Sequence, residues 1–282
     1  MLQMTNEENW MEITDPDDPR IEDYRDIREK DLMGRGGRNG LFIGEAILVV
    51  EVMLQHPGMT RSILVSRSQL ERVRRLVAES PSPDTPILVA EGKLIESIAG
   101  FDIHRGVLAC GNRPDLDSQS LDSILPGVDE PATVLICDRI NNIDNIGLLF
   151  RNAAAFGVDC VILSPDCHDP LYRKSLRVSI GHALRVPYHR SSDWAGTLEA
   201  LKQRGIRIIG TSIDPKAVPL DQARPPERVG LIMGSEFDGL GEESIRTCDR
   251  LVRIPMAAGT DSLNVGVAAA VCLHHFARKN RV

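Results

Sequence analysis

The chain has 282 residues, 42% of them hydrophobic and 26% charged, with a formal net charge of −7. That length supplies two cores of ordinary size. No run reaches the roughly 20 apolar residues of a membrane span, and the acidic start "MLQMTNEENWMEITDPDDPR" lacks the apolar stretch of a signal peptide, so a globular, cytoplasmic protein is expected.

The net charge is unevenly divided. Residues 1–20 carry −5 and residues 111–131 carry −4, which leaves the remainder at +2. Arginine outnumbers lysine 27 to 6 and gathers in "YRDIREKDLMGRGGR", "RSQLERVRR" and "LYRKSLRVSIGHALRVPYHR". Guanidinium forks suit phosphate, and solvated helix faces account for such clusters equally well. The six cysteines are scattered without a CxxC pair, a pattern of buried free thiols rather than disulfides, and Cys160, Cys167 and His168 lack a second ligand pair for zinc.

Along the chain, residues 1–19 read as a disordered acidic tail. Helical spacing follows in "IEDYRDIREKDL", then a turn leading into a helix in "GLFIGEAILVVEVMLQH". Strands "RSILVS", "PILVA" and "RGVLACG" alternate with helices "RSQLERVRRLVAES" and "EGKLIESIAG". Residues 20–111 therefore read as a small α/β domain. Residues 112–131, rich in Pro, Asp and Ser, read as a linker. From 132 to 282 the alternation resumes, with strands "ATVLICD", "VDCVILS", "IRIIGTS", "VGLIMG" and "LVRIP" and a final apolar helix. Apolar strands separated by helices predict a mostly parallel sheet whose ligand lies at the carboxyl ends of its strands.

Those strand ends carry unusual loops. "CDRINNIDNIGLLFRN" sets Asn141, Asn145 and Gly147 just after a strand. Asn145 is equally a helix N-cap. Arg151 stands six residues further in an otherwise apolar stretch and needs a partner or a ligand. "LIMGSEFDGLG" ends a second strand with Gly234, Ser235, Glu236 and Gly239, and "RIPMAAGTDSLN" ends a third with the same small polar residues. Amide-rich, glycine-lined loops of this kind suit a flat heteroaromatic ligand held by main-chain groups. The crowded glycines of "GRGGRNG" have no preceding strand and no acid at dinucleotide-binding distance, which argues against an α/β dehydrogenase. A phosphate contact through Arg35 and Arg38 is the alternative to a flexible turn.

"NIGLLFRNAAAFG", "IMGSEFDGLG" and "RIPMAAGTDSLNVGVAAA" stand in the order and spacing of the three motifs of SpoU/TrmH-like methyltransferases of the SPOUT superfamily, which residues 132–278 resemble. Residues 20–110 resemble, less strongly, the RNA-binding α/β domain that many members carry in front. The resemblance implies a trefoil-knotted domain, S-adenosyl-L-methionine as cofactor, methyl transfer to a ribose 2′-hydroxyl of tRNA or rRNA, and a homodimer. By motif position, Thr211, Gly234, Ile254, Met256 and Leu263 line the adenosine site, and Asn145, Arg151, Glu236, Ser262 and Asn264 match catalytic positions. Arg151 has been cast in such enzymes as the base. Because guanidinium stays protonated in proteins, its expected role is to bind phosphate and stabilise alkoxide charge.

"SPDCHDPLYRKSLRVSIGHALRVPY" resembles the family's substrate-facing segment, with Asp169, Pro170, Lys174, Arg177, Ser179 and Gly181 at matching positions. Lys174 and Arg177 are the expected phosphate contacts there, against the alternative of an exposed amphipathic helix. Two departures stand out. Phe237 replaces the glycine usual after the glutamate of motif two, and the proline usual in motif one is expected at Arg139. A non-catalytic RNA-binding or ribosome-assembly protein that retains the fold is the competing expectation.

Overall fold

The structure, a computed structural model, describes residues 10–25, 27, 40–101, 103, 106–115, 119–260 and 262–277. The chain divides into two units, Met1–Pro114 with Leu171–Leu184, and Asp115–Pro170 with Arg185–Val282.

The first unit is built on a five-stranded sheet of β1 (Trp10–Glu12), β2 (Leu41–Glu45), β3 (Thr60–Ser66), β4 (Ile87–Ala90) and β5 (Val107–Asn112), in the order β1-β4-β3-β5-β2. Strands β1, β4 and β3 run parallel, and β5 is antiparallel to β3 and β2. Helices Ile47–Leu54, Leu70–Ala78 and Gly92–Ala99 complete it. Ile13, Ile21, Tyr24, Ile43, Leu64, Leu88 and Leu108 share one buried cluster. Burying each such aliphatic side chain stabilises the fold by about 1.5–3 kcal/mol.

Two expectations for this unit change. The segment expected as a disordered tail contributes β1, paired in register with Ile87–Val89. Trp10 and Ile13 anchor it, with the Ile13 amide donating to the Val89 carbonyl at 2.8 Å. Averaged composition hides a few apolar residues among acids. "LFIGE" is a strand rather than a turn, separated from the following helix by Ala46 at φ 80°. Among the described residues, the segment with helical spacing forms the 3-10 turn Pro19–Tyr24, and residues 28–39 lie outside the described residues. Arg35 and Arg38 fall among those.

Helix Arg173–Val178, six residues long, belongs to this unit. Glu45 is fully buried at the end of β2 and receives an Arg177 Nη1 hydrogen bond at 2.8 Å and an ion pair from Arg173. The Arg173 guanidinium also lies 3.9 Å from the Phe101 ring centroid. Arg177, expected to contact phosphate, is thus held by a protein carboxylate, because the fully buried charge of Glu45 must be paired. Lys174 is half-buried on the same helix.

The second unit carries seven strands: β6 (Ala132–Cys137), β7 (Cys160–Leu163), β8 (Tyr188–Arg190), β9 (Arg207–Thr211), β10 (Val218–Pro219), β11 (Arg228–Met233) and β12 (Arg250–Arg253). Their order is β10-β12-β9-β11-β6-β7-β8, and every described pairing is parallel. This α/β architecture with a mostly parallel sheet is the one expected. All six residues of β6 are buried, as a strand covered on both faces requires. Sequence reading missed β8 and β10, which are very short and lie at the two edges of the sheet, where β10 tolerates Pro219. The expected linker contains a four-residue helix, Leu121–Ile124.

The last helix, Val265–Phe276, packs on helix Ile143–Ala155 and on β11. Contact is close at Gly266, where a Cβ would stand 2.9 Å from Leu148 Cβ, and Asn152 Nδ2 donates to the Gly266 carbonyl at 2.6 Å. A larger residue at 266 would force these two helices apart.

Candidate active site

Parallel strands all deliver their carboxyl ends to one edge of a sheet, and here β12, β9, β11 and β6 are consecutive neighbours. Strand β11 stops at Gly234 because the chain folds back on itself there. A Cβ at Gly234 would lie 2.2 Å from the Gly239 carbonyl carbon, so only glycine fits. The turn is closed by the Ser235 amide donating to the Gly239 carbonyl and the Gly239 amide donating to the Ser235 carbonyl, each at 3.1 Å.

Beside this turn lies a cavity of about 360 Å³, within the roughly 300–1,000 Å³ range of small-molecule sites. Thr211, Gly234, Ile254, Met256 and Leu263, the five expected cofactor contacts, all line it. Leu240, Leu251, Val252 and Val265 make its apolar wall. An apolar slot edged by the main chain of three strand ends fits an adenosine group.

Glu236 and Ser262 also line this cavity. Asn264 Nδ2 donates to Glu236 Oε1 at 2.7 Å and to Asn145 Oδ1 at 2.9 Å. The orientation of its amide is dictated by its other end, since Oδ1 caps the last helix by accepting from the Gly266 amide at 2.9 Å and the Val267 amide at 3.4 Å. Asn145 is 4% exposed and sits in the first turn of helix Ile143–Ala155. It is not the N-cap. Asn142 is, with its Oδ1 accepting from the Asp144 and Asn145 amides at 2.9 and 3.1 Å. Asn145 is thereby released for the cluster.

Of the five expected catalytic residues, the structure joins Asn145, Glu236 and Asn264 by hydrogen bonds and leaves Ser262 exposed on the cavity wall. Arg151 is exposed, and no hydrogen bond or ion pair of its side chain occurs among the described residues. Six residues of α-helix separate it from Asn145, about 9 Å of rise and roughly two-thirds of a turn in direction. The cluster and the guanidinium therefore approach a substrate from different positions.

Sequence reading missed Asp138 and Arg139. Asp138, 2% exposed at the end of β6, accepts from the Gly241 amide at 2.7 Å and the Ser244 hydroxyl at 2.8 Å. Trp194 Nε1 donates to the same Ser244 oxygen at 3.1 Å. Arg139 Nη2 donates to the Gly239 carbonyl at 3.3 Å. These contacts brace the turn that backs the cavity. An acid closing a predominantly apolar strand was the available signal. Arg139 has φ 56°, which proline cannot adopt, so the proline of motif one does not correspond to this position. Ile143, the first residue of its helix after the Asn142 cap, is the position that favours proline.

The profile of the SpoU rRNA Methylase family matches residues 132–274. An uncharacterised tRNA/rRNA methyltransferase of Mycobacterium tuberculosis is 36% identical over 273 residues, covering 95% of this chain and 91% of the relative. The 23S rRNA (guanosine-2′-O-)-methyltransferase RlmB of Ralstonia nicotianae is 34% identical over 211 residues, covering 75% and 84%. The crystal structure of an RNA 2′-O ribose methyltransferase shares the fold with TM-score 0.76 at 24% identity, covering 94% of this chain and 97% of that one. An AdoMet-bound rRNA methyltransferase of Sinorhizobium meliloti shares it with TM-score 0.73 at 22% identity, covering 95% and 97%.

Proposed function

The chain belongs to the SpoU rRNA methylase family and is an S-adenosylmethionine-dependent RNA methyltransferase, and we propose that it methylates a ribose 2′-hydroxyl of large-subunit ribosomal RNA. The observation that carries this reading is the double hydrogen bond of Asn264 to Asn145 and Glu236 on the rim of the cofactor cavity. Ribosomal RNA is favoured over tRNA because the similarity to RlmB-type guanosine 2′-O-methyltransferases covers 75% of this chain, more than the family match over residues 132–274.

Thr211, Gly234, Ile254, Met256 and Leu263 would hold the adenosine group. Bound S-adenosylmethionine supplies the methyl group as a sulfonium electrophile. The protein's task is then to hold the hydroxyl in line and to assist loss of its proton. Asn264 fixes one carboxylate oxygen of Glu236, whose remaining acceptor capacity receives the hydroxyl hydrogen bond and the proton. Asn145, immobilised through its Oδ1, turns its amide hydrogens toward the ribose oxygens. Arg151 offers an unengaged fork to the adjacent phosphate and to the charge that develops on the 2′-oxygen. Ser262 orients the ribose from the cavity wall.

The same reading includes the trefoil knot, a cytoplasmic location and a homodimer. No described helix is long and apolar enough to cross a membrane. Val267 and Val271, four residues apart on the last helix, are 50% and 39% exposed, an apolar stripe suited to a second copy. Arg35, Arg38 and Lys174 are the proposed RNA contacts of the front unit.

The test is nucleoside mass spectrometry after incubating unmodified 23S rRNA and tRNA pools separately with labelled S-adenosylmethionine. A labelled 2′-O-methylnucleoside in the rRNA pool, absent with Arg151→Ala, is the expected result. Label on a base overturns the ribose chemistry, and label in tRNA alone overturns the choice of RNA. Cofactor binding without transfer to either pool favours the non-catalytic RNA-binding alternative.

A further inference from the structure

Phe237 is 97% exposed, more than any other large hydrophobic residue described. Single exposed apolar side chains are common on soluble proteins and need no explanation by themselves. Two features set this one apart. It lines the cavity, and it directly follows Glu236, whose carboxylate is bonded to Asn264. The backbone of its turn is also held by hydrogen bonds, while its ring is almost wholly exposed. The Ser235–Gly239 hydrogen-bond pair closes the turn beneath it, the Asp238 amide donates to Ser235 Oγ at 3.2 Å, and Arg139 holds the Gly239 carbonyl at 3.3 Å.

The ring leaves both faces open, and its Cα stands one residue spacing, about 3.8 Å, from that of Glu236, so it can swing over whatever Glu236 engages. Its occupant follows from what the neighbouring residues handle. If Glu236 and Asn145 engage a ribose hydroxyl, the base on that ribose lies within a few ångströms of the same rim. Every nucleobase offers a π-face, and aromatic side chains take such faces from unstacked RNA. The cofactor's adenine would be served otherwise, by the apolar walls at Ile254, Met256 and Leu263.

We propose that Phe237 is a stacking platform for the base of the nucleotide being methylated, an inference that rests on the ribose-methylation reading. The platform tolerates any base in principle and rewards purines most, because their larger π-face overlaps the ring more fully. Binding therefore requires the target nucleotide to leave its helical stack.

The experiment uses the full chain. The methylated position is first mapped on transcribed 23S rRNA, and a synthetic hairpin spanning it is then made with either the normal base or an abasic ribose at the target. Stacking predicts that Phe237→Ala raises KM for the normal hairpin roughly 5- to 150-fold, while KM for S-adenosylmethionine shifts less than about twofold. Phe237→Trp is expected to restore the RNA KM, and the abasic hairpin to remove the difference between wild type and Phe237→Ala. An equal penalty on the abasic hairpin, or a loss confined to cofactor affinity, overturns the platform and leaves ribose methylation standing. A wild-type enzyme that forms no 2′-O-methylnucleotide overturns the underlying reading instead, and the inference with it.

Discussion

Asn264 Nδ2 stands 2.7 Å from Glu236 Oε1, while Oδ1 of the same amide accepts from the Gly266 amide at 2.9 Å. One side chain thus starts the last helix and positions an acid at the cavity beside Gly234. The two duties separate by substitution. Aspartate keeps the cap acceptor but loses the donor and faces Glu236 with like charge. Asn264→Asp should therefore lose about 10²-fold or more in kcat with a modest change in thermal midpoint. Asn264→Ala should lose the same activity and also about 1 kcal/mol of stability. Steady-state kinetics beside thermal melts decides this, and an active Asn264→Asp enzyme refutes the positioning role.

Asp138 is the buried support of the same region. Removing its carboxylate strands the Gly241 amide and the Ser244 hydroxyl, a loss of about 1–3 kcal/mol. Because those partners brace the turn behind the cavity, Asp138→Ala should weaken S-adenosylhomocysteine binding about tenfold and leave kcat at saturating cofactor within a fewfold of wild type. Calorimetric titration reads the affinity, and a kcat collapse with unchanged affinity contradicts this assignment.

The parts of this site that were legible in sequence are those with local chemical signatures. Glycine at 234 is imposed by a backbone contact with Gly239 close in sequence, and apolar strands such as β6 announce a buried parallel sheet. Asn142 rather than Asn145 caps its helix, a choice between two neighbouring asparagines that only the backbone at the helix start decides. Strand β1 was invisible because its partner, Ile87–Val89, lies some 75 residues away and supplies the pairing that local composition does not. Arg177 looked like a free cation for the same reason. Glu45, 132 residues earlier, is its partner, and an isolated sequence window cannot show it.

Arg151 is exposed and has no side-chain partner among the described residues, so its substitution isolates function. Arg151→Ala should leave stability within about 0.5 kcal/mol of wild type and lower kcat by about 10²–10³-fold. Arg151→Lys should recover charge but not the planar fork, and only part of the activity. If the guanidinium binds phosphate, the Ala variant also shows a salt dependence of RNA binding shallower by about one unit of log–log slope. An unchanged slope argues against phosphate contact.

Glu45 tests the reassignment of Arg177. Its carboxylate is fully buried between two guanidinium groups, and removing one partner of such a cluster typically costs about 3–5 kcal/mol. Glu45→Ala should lower stability on that scale in urea denaturation. Arg177→Ala should lower it less, since Arg177 keeps 27% of its side-chain exposure, and should change RNA affinity little. A stable Arg177→Ala protein with sharply weakened RNA binding restores the phosphate-contact role.

The six cysteines are free, and burial pushes the thiols of Cys110, Cys160, Cys248 and Cys272 up to about 12 from an ordinary value of 9.0. Burial likewise raises Cys137 and Cys167. Folding therefore favours the protonated thiol. Below pH 9 both folded and unfolded chains hold these protons and the contribution is constant. Between pH 9 and about 12 the unfolded chain releases them first, so stability falls as pH rises. Urea midpoints at successive pH values should decline above 9, less steeply in a Cys160→Val variant whose thiol is gone. At pH 8 a disulfide reagent should modify the five buried thiols only as fast as the protein opens, because the thiolate and access are both withheld, whereas the half-buried Cys248 reacts sooner. Rapid labelling of Cys110, Cys137, Cys160, Cys167 and Cys272 in the folded protein contradicts the burial that the structure assigns them.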